Sequence, residues 1–284
     1  MSIDTADTRV VQLDAGPVAY REAGAGPVVV LVHGLLTNGR LWDAVADRLA
    51  GHCRVIVPDW PLGSHTHPMN PTADLSPAGL AALIADFLAA LDLTDATLVG
   101  NDTGGALCQL VVTTTPDRVG RLVLTPCDAY DNFLPPMLRP LQWLARSATM
   151  TRGMLWSMRF RPLRHGPMSF GWLAKHGLPD ELAVDFLRSA QADAGVRRDL
   201  LAVLRGISSD ATQRAAERFG RFERPVLLAW APEDRFFPFR HAEAMAAAFP
   251  DARLERIEDS YTFVSIDQPE RTADLVAQFV VVPA

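Results

Sequence analysis

Short apolar runs alternate with longer amphipathic stretches along most of the 284-residue chain. The run at residues 27–32 is continuously apolar, as a strand buried on both faces of a sheet should be. Further predicted strands, shorter and mostly apolar, occur at 54–57, 97–99 and 122–124, and stretches with helical periodicity separate them. This alternation predicts an α/β fold with a doubly wound, mostly parallel sheet and helices on both faces.

The alternation stops after residue 127, and an apolar run at 225–230 marks where it resumes. Between these points the sequence predicts helices and loops, with frequent prolines and no strong strand. We therefore expect one α/β core domain formed by residues 1–127 and 221–284. Residues 128–220 are expected to form a helical cap, inserted after the sixth strand.

The segment LVGNDTGGA, residues 98–106, places an acidic side chain at a strand-to-helix junction. The small residues Gly100 and Gly104 allow a sharp turn around Asp102. Such a turn lifts one side chain into a pocket at the positive end of the following helix. Asp102 is therefore a candidate nucleophile. The alternative is that Asp102 only caps the helix, because aspartate is a good N-cap residue.

Two further motifs accompany the Asp102 turn in a defined order. The tripeptide HGL at 33–35 ends the first buried strand, and an acidic loop at 230–238 follows a later strand. Taken together, the three motifs resemble the α/β-hydrolase superfamily. An aspartate in the turn resembles its haloalkane dehalogenase and epoxide hydrolase branches. In those branches the carboxylate attacks carbon, and water activated by a histidine then hydrolyses the ester.

This resemblance implies roles for four other residues. The backbone N–H groups of Leu35 and Thr103 would form a two-donor oxyanion hole beside Asp102. Asp234 would be the acid of the catalytic triad, and Glu233 is a weaker candidate for the same role.

The histidine of the family is missing from its position after the last strand. The sequence there is DSYTF, with Tyr261 where the resemblance expects glycine and Thr262 where it expects histidine. Neither serves as a base near neutral pH, because tyrosine has a pKa near 10 and threonine does not titrate. His65, in a loop expected to approach the pocket, is the candidate substitute base, and His165 and His176 in the cap are further candidates. Each of them also fits a loop histidine in solvent.

The predicted cap is rich in aromatic and basic residues. Trp143 and Trp156 are expected to line a broad apolar substrate pocket beneath it. Between 131 and 176 the chain has seven arginine and lysine residues but one acid, Asp131. This pattern fits a packed cap with a solvated basic face, arginines that pair with an acidic or polyoxygenated ligand, or the contact of a homodimer.

Composition and charge limit the classes of binding partner and the cellular compartment expected for the protein. The formal net charge of −6 argues against a nucleic-acid partner. No apolar run reaches the roughly 20 residues that span a bilayer, so we expect no membrane partner. The N-terminus has no secretory pattern and the three cysteines lack metal-site spacing, which predicts a cytoplasmic protein with reduced thiols. Because the sequence shows no phosphate-binding loop or metal-ligand cluster, we expect no cofactor and no metal.

Three functions remain open for the sequence. The first is a hydrolase-like enzyme in which Asp102 attacks a small-to-medium apolar organic substrate. The second is a non-hydrolytic enzyme that uses Asp102 as acid or base for a cyclisation, isomerisation or elimination. The third is a catalytically silent ligand-binding homologue. We rank them in this order, since an inert protein has no need of a carboxylate in the turn, and expect an enzyme with an incomplete triad of Asp102 and Asp234.

Overall fold

In the computed structural model, which describes residues 8–281, eight strands form a single twisted sheet. The strands are β1 (Arg9–Leu13), β2 (Gly16–Ala23), β3 (Val28–Val32), β4 (Arg54–Pro58), β5 (Ala96–Asp102), β6 (Val119–Cys127), β7 (Val226–Trp230) and β8 (Ala252–Arg256). They lie in the order β1-β2-β4-β3-β5-β6-β7-β8. The first two strands pair antiparallel, β2 pairs antiparallel with β4, and the remaining neighbours are parallel. The prediction of a mostly parallel α/β sheet is confirmed.

Helices cover both faces of the sheet, and several of them connect β6 to β7 along the chain. They are α1 (Asp43–Leu49), α2 (Pro77–Ala90), α3 (Thr103–Thr114), α4 (Pro140–Leu144), α5 (Ala148–Ser157), α6 (Arg161–Arg164), α7 (Asp180–Ala192), α8 (Ala194–Gly206), α9 (Ser209–Ala216), α10 (Phe239–Ala248), α11 (Val264–Asp267) and α12 (Pro269–Val281). Six of them, α4 to α9, lie in the segment predicted to be the cap. Within residues 8–281, no helix is long and apolar enough to cross a membrane.

The central strands are buried because helices pack on both of their faces. The side chains of residues 29–32 in β3 have no exposed surface, and every residue of β5 is buried. Since β3, β5, β6 and β7 run parallel, their carboxyl ends meet at the same edge of the sheet, which is where open α/β sheets bind ligands. The loops that contain Leu35, Asp102 and Asp234 therefore begin at this edge.

Candidate active site

Asp102 is the last residue of β5 and the turning point into α3. Its backbone has φ 52° and ψ −132°, a conformation that costs a residue other than glycine about 1–3 kcal/mol. The side chain makes no capping hydrogen bond, although Asp102 occupies the N-cap position of α3. The geometry thus differs from the simple capping interpretation, because the carboxyl lies beside the start of α3 without forming a capping hydrogen bond.

Two glycines allow the backbone to approach Asp102 closely. A Cβ atom built on Gly34 would collide with the Asp102 carboxyl, and one built on Gly104 would collide with the backbone carbonyl of His33. The loop after β3 and the first turn of α3 can therefore touch each other only because neither residue has a side chain. This contact brings the backbone N–H groups of Leu35 and Thr103 to the same carboxyl.

Burial dominates the electrostatics of Asp102. It raises the pKa of the carboxyl to about 7, because a charged group is disfavoured away from water. The backbone N–H of Thr103 lowers this pKa by hydrogen bonding, the negative charge of Asp234 raises it, and the N–H of Leu35 lowers it again. Near neutral pH, both the acid and the carboxylate form of Asp102 are therefore populated.

Thr262 forms the hydrogen bond to Asp234 that the resemblance assigns to histidine. Its Oγ1 donates to Asp234 Oδ2 at 2.8 Å, and the threonine is fully buried. The other oxygen, Asp234 Oδ1, accepts the backbone N–H groups of Phe236 and Phe237 at 2.7 and 2.6 Å. Burial raises the pKa of Asp234 to about 6, while these hydrogen bonds lower it. The neighbouring Tyr261 hydroxyl accepts a hydrogen bond from an exposed arginine instead.

Asn101, which the sequence interpretation overlooked, ties the Asp102 turn to the Thr262 loop. Its Nδ2 donates to Thr262 O at 2.7 Å, to Thr125 Oγ1 at 2.9 Å and to Pro126 O at 3.1 Å. A buried polar residue directly before the turn is the signal that could have identified it, because such a side chain needs partners. Asn101 thereby fixes the position of Thr262 relative to the Asp102 carboxyl.

Asp128 is a second overlooked residue, located directly after β6. It is fully buried, and its Oδ2 accepts a hydrogen bond from Thr103 Oγ1 at 3.3 Å. Burial, together with the negative charge of Asp102, raises the pKa of Asp128 well above the usual aspartate range. The site thus contains two buried carboxyls, of Asp102 and Asp128, and the half-buried carboxyl of Asp234. An acidic residue at the carboxyl end of a predicted strand was the available signal.

A cavity of about 520 Å³ lies between the sheet edge and the cap. Leu35, Asp102 and Phe237 line it from the core, and apolar residues of the cap such as Leu141 and Met154 line the opposite side. Among its lining residues in the described chain, Asp102 is the only one with a titratable side chain. The Asp102 carboxyl therefore faces a space suited to an apolar molecule.

Trp143 and Trp156 were predicted to line this cavity, but the structure places both on the surface. Their relative exposures are 58% and 57%, and neither contributes to the lining. In α4 the cavity is lined by Leu141 and Leu144, and in α5 by Met154 and Ser157, so the tryptophans occupy the outward faces of these helices.

His65 is held away from the cavity by a buried carboxylate. Its Nε2 lies 3.2 Å from Asp199 Oδ2, the residue is almost fully buried, and it does not line the cavity. The described structure therefore gives the proposed substitute base no access to Asp102.

The other histidines considered also have partners elsewhere. His165 Nε2 lies 2.8 Å from Asp180, and His176 Nε2 lies 3.0 Å from Asp259. Burial lowers the pKa of His33 to about 4, and its Nε2 accepts the N–H of Trp60 at 2.8 Å, so it stays neutral and holds its loop. Within the described part of the chain, no cluster of three or more His, Cys, Asp or Glu side chains could hold a metal ion.

Three comparisons relate the chain to known proteins. A family model described as Alpha/beta hydrolase family matches residues 29–275. An uncharacterised protein of Mycobacterium tuberculosis is 31% identical over 271 residues, which cover 92% of this chain and 77% of that protein. A pimeloyl-[acyl-carrier protein] methyl ester esterase of Aeromonas salmonicida is 29% identical over 281 residues, covering 93% and 99%. The crystal structure of an alpha/beta hydrolase fold protein from Burkholderia ambifaria has a TM-score of 0.81 at 21% identity, covering 97% and 98%, which is a likeness of fold.

Proposed function

This chain belongs to the alpha/beta hydrolase family, and from that premise we propose that it is an enzyme whose reacting group is the Asp102 carboxyl. Its substrate is a small-to-medium apolar organic molecule bound in the cavity. The observation that supports this most is that Asp102 is the single titratable side chain among the described lining residues. The apolar walls hold the carbon skeleton, and chemistry takes place where it meets the carboxyl.

Proton transfer is the reaction that this arrangement supports best. A carboxyl with a pKa of about 7 is available as acid and as base near neutral pH, which suits it to general acid–base catalysis. Isomerisation, elimination and cyclisation each require a proton to be moved, and none of them requires an activated water. The N–H groups of Leu35 and Thr103 would hold the anionic form of Asp102 in place between turnovers.

Hydrolysis through an ester on Asp102 is the second candidate, and the strained backbone of the turn favours it. The N–H groups of Leu35 and Thr103 would then form the oxyanion hole for breakdown of the ester. Activation of water is the step without a catalyst, because Thr262 rather than histidine bonds Asp234 and no described histidine lines the cavity. We therefore place hydrolysis after proton transfer, which reverses the order suggested by the sequence.

Isotope incorporation separates the two reactions before any substrate is known. The protein is incubated with fractionated apolar metabolites, in D₂O and in parallel in ¹⁸O-labelled water, and small molecules and protein are analysed by mass spectrometry. Proton transfer predicts deuterium bound to carbon in a few metabolites. Hydrolysis through the ester instead predicts ¹⁸O in the Asp102 carboxyl from the first turnover and, after repeated turnover, in a product.

The Asp102→Asn variant should abolish either signal. Asp251→Asn is the matched control because Asp251 is exposed and remote from the cavity lining. If no isotope change in either solvent depends on Asp102, the proposed function is wrong and ligand binding without chemistry takes its place.

A further inference from the structure

Large apolar side chains are exposed mainly on one part of the cap. Of the ten such side chains exposed in residues 8–281, seven lie between residues 137 and 168. We call these seven the cap apolar patch; they are Met137, Trp143, Met150, Trp156, Phe160, Leu163 and Met168. Monomeric soluble proteins rarely expose so many clustered apolar side chains without a partner for them.

Helical periodicity places part of the patch on one surface. In α5 the exposed positions include Met150, Gly153 and Trp156, each three residues from the next. The Trp156 ring contacts the Phe160 ring edge to face, with centroids 5.7 Å apart. The inward face of α5, which includes Met154, lines the cavity. One face of this helix therefore points outward with no described element packed over it.

The chain segment that carries the cap apolar patch is rich in positive charge, and Asp180, just after it, pairs with Arg161 and Arg164. Residues 132–179 contain six arginines and one lysine and no acidic residue. Four of these arginines are exposed and form no ion pair with any residue in the described chain; they are Arg139, Arg146, Arg152 and Arg159. The whole chain, in contrast, has a net charge of −6. The occupant of this face must therefore be apolar at its centre and anionic at its edge.

The cap apolar patch is continuous with the mouth of the cavity. Met137, Leu163 and Met168 line the cavity and are also exposed, the last with 58% of its surface accessible. If an apolar phase contacts the patch, a molecule that leaves this phase can reach Asp102 along apolar side chains. This continuity points to a reservoir of apolar molecules as the occupant.

In place of the expectation from the sequence that the protein has no membrane partner, we propose that the cap apolar patch and its arginines dock on the surface of an anionic lipid bilayer. Tryptophan, phenylalanine and methionine side chains would enter the boundary of headgroups and acyl chains, and the arginines would contact lipid phosphates. A second copy of the chain fits this face less well, because two-fold contact would place arginines opposite arginines. The proposal does not rest on the chemistry of Asp102.

Vesicle sedimentation tests the proposal directly. The intact protein is mixed with vesicles of phosphatidylcholine alone or with about one third phosphatidylglycerol, at low and at physiological salt. We expect half-saturation at a lipid concentration at least about tenfold lower with the anionic vesicles, and weaker binding as salt increases. The triple variant Arg146→Glu/Arg152→Glu/Arg159→Glu should weaken this binding at least about tenfold.

A matched control makes the same change of charge elsewhere. Arg214→Glu/Arg218→Glu/Arg221→Glu alters three exposed arginines outside the 137–168 segment and should bind nearly as wild type. Trp143→Ser/Trp156→Ser should also lose binding while keeping the fold, because both tryptophans are more than half exposed. Asp102→Asn should bind as wild type, which separates this test from that of the proposed function.

Three results would overturn the proposal. The first is that neither vesicle binds, and the second is that binding is equal for both lipids and insensitive to the arginine variant. The third is that sedimentation shows self-association which Trp143→Ser/Trp156→Ser abolishes, since the face would then be the contact of a homodimer.

Discussion

The hydrogen bond between Thr262 and Asp234 limits what Asp102 can do. It is 2.8 Å long and satisfies the Asp234 oxygen that the resemblance assigns to an imidazole. Threonine, however, takes no proton from water near neutral pH. This absence of a base is why we propose acid–base chemistry by Asp102 itself, whose carboxyl has a pKa of about 7.

Replacing Thr262 by histidine tests this interpretation at the level of one residue. In Thr262→His, the imidazole can donate to Asp234 and reach water beside Asp102. If Asp102 is first alkylated, we expect its ester to be hydrolysed at least about 100-fold faster than in the wild type, as general base catalysis typically provides. The measurement is the decay of the adduct by intact mass. Thr262→Val, which cannot bond Asp234, should leave the adduct as stable as in wild type, and equal lifetimes in all three proteins would contradict the interpretation.

The candidate site residues that the sequence could identify were those that lie within a recognisable local motif. Asp102 lies in a turn between glycines, and Asp234 follows a strand, so their placement at the sheet edge follows from local pattern. Asp128 is separated from the turn by 25 residues, and only the pairing of β5 with β6 places it beside Thr103. Its proximity to Asp102 could not be read from spacing alone.

At the level of elements, the contact between the loop after β3 and the start of α3 positions the carboxyl. It depends on Gly34, where a side chain would collide with Asp102. The pattern of apolar runs predicted the strands and the helical segment, but not which face of each cap helix turns inward. Trp143 and Trp156 lie on the outward faces. The sequence could not show this, because short helices with apolar residues all round give no clear periodicity.

Gly34→Ala should damage the site and the fold together. Overpacking of this kind costs about 1–3 kcal/mol of unfolding free energy, and the displaced Asp102 should react more slowly with alkylating reagents. Gly153→Ala is the control, because a Cβ added to Gly153 in α5 would meet no atom within 4 Å, and alanine there should stabilise the helix by about 0.5–1 kcal/mol. Denaturant unfolding measures both. Equal stability of Gly34→Ala and wild type would show that the contact with Asp102 is not tight.

At the level of the whole molecule, the carboxyls of Asp102 and Asp234 in the candidate site lower the stability of the fold at high pH. The pKa values of Asp102 and Asp234 are raised to about 7 and about 6, so the folded chain holds these protons more tightly than the unfolded chain. Their stabilising contribution is complete below the unfolded pKa near 4 and is lost as pH rises through about 6 and 7. Such a trade of stability for a reactive group is common at functional sites.

Asp102→Asn should therefore stabilise the protein more at pH 8.5 than at pH 4.5. Asparagine cannot ionise. The gain in unfolding free energy of the variant over wild type should be larger at pH 8.5 than at pH 4.5 by about 2 kcal/mol or more. Chemical denaturation at both pH values measures it, with the exposed Asp251→Asn controlling for the loss of one charge. A stabilisation that is the same at both pH values would show that Asp102 does not titrate between them.

Alkylation of Asp102 is the measurement that tests the central claim most directly. The protein is treated with a short alkyl bromide or styrene oxide across pH 5 to 9, and the adduct is counted by intact mass and located by peptide mapping. We predict one adduct per chain, on Asp102, with a rate that increases as pH rises through about 7 and a stable ester. Asp102→Asn should give no adduct, whereas Asp234→Asn should still react. Labelling of other carboxyls with Asp102 unmodified would contradict the claim that this carboxyl is the reacting group of the cavity.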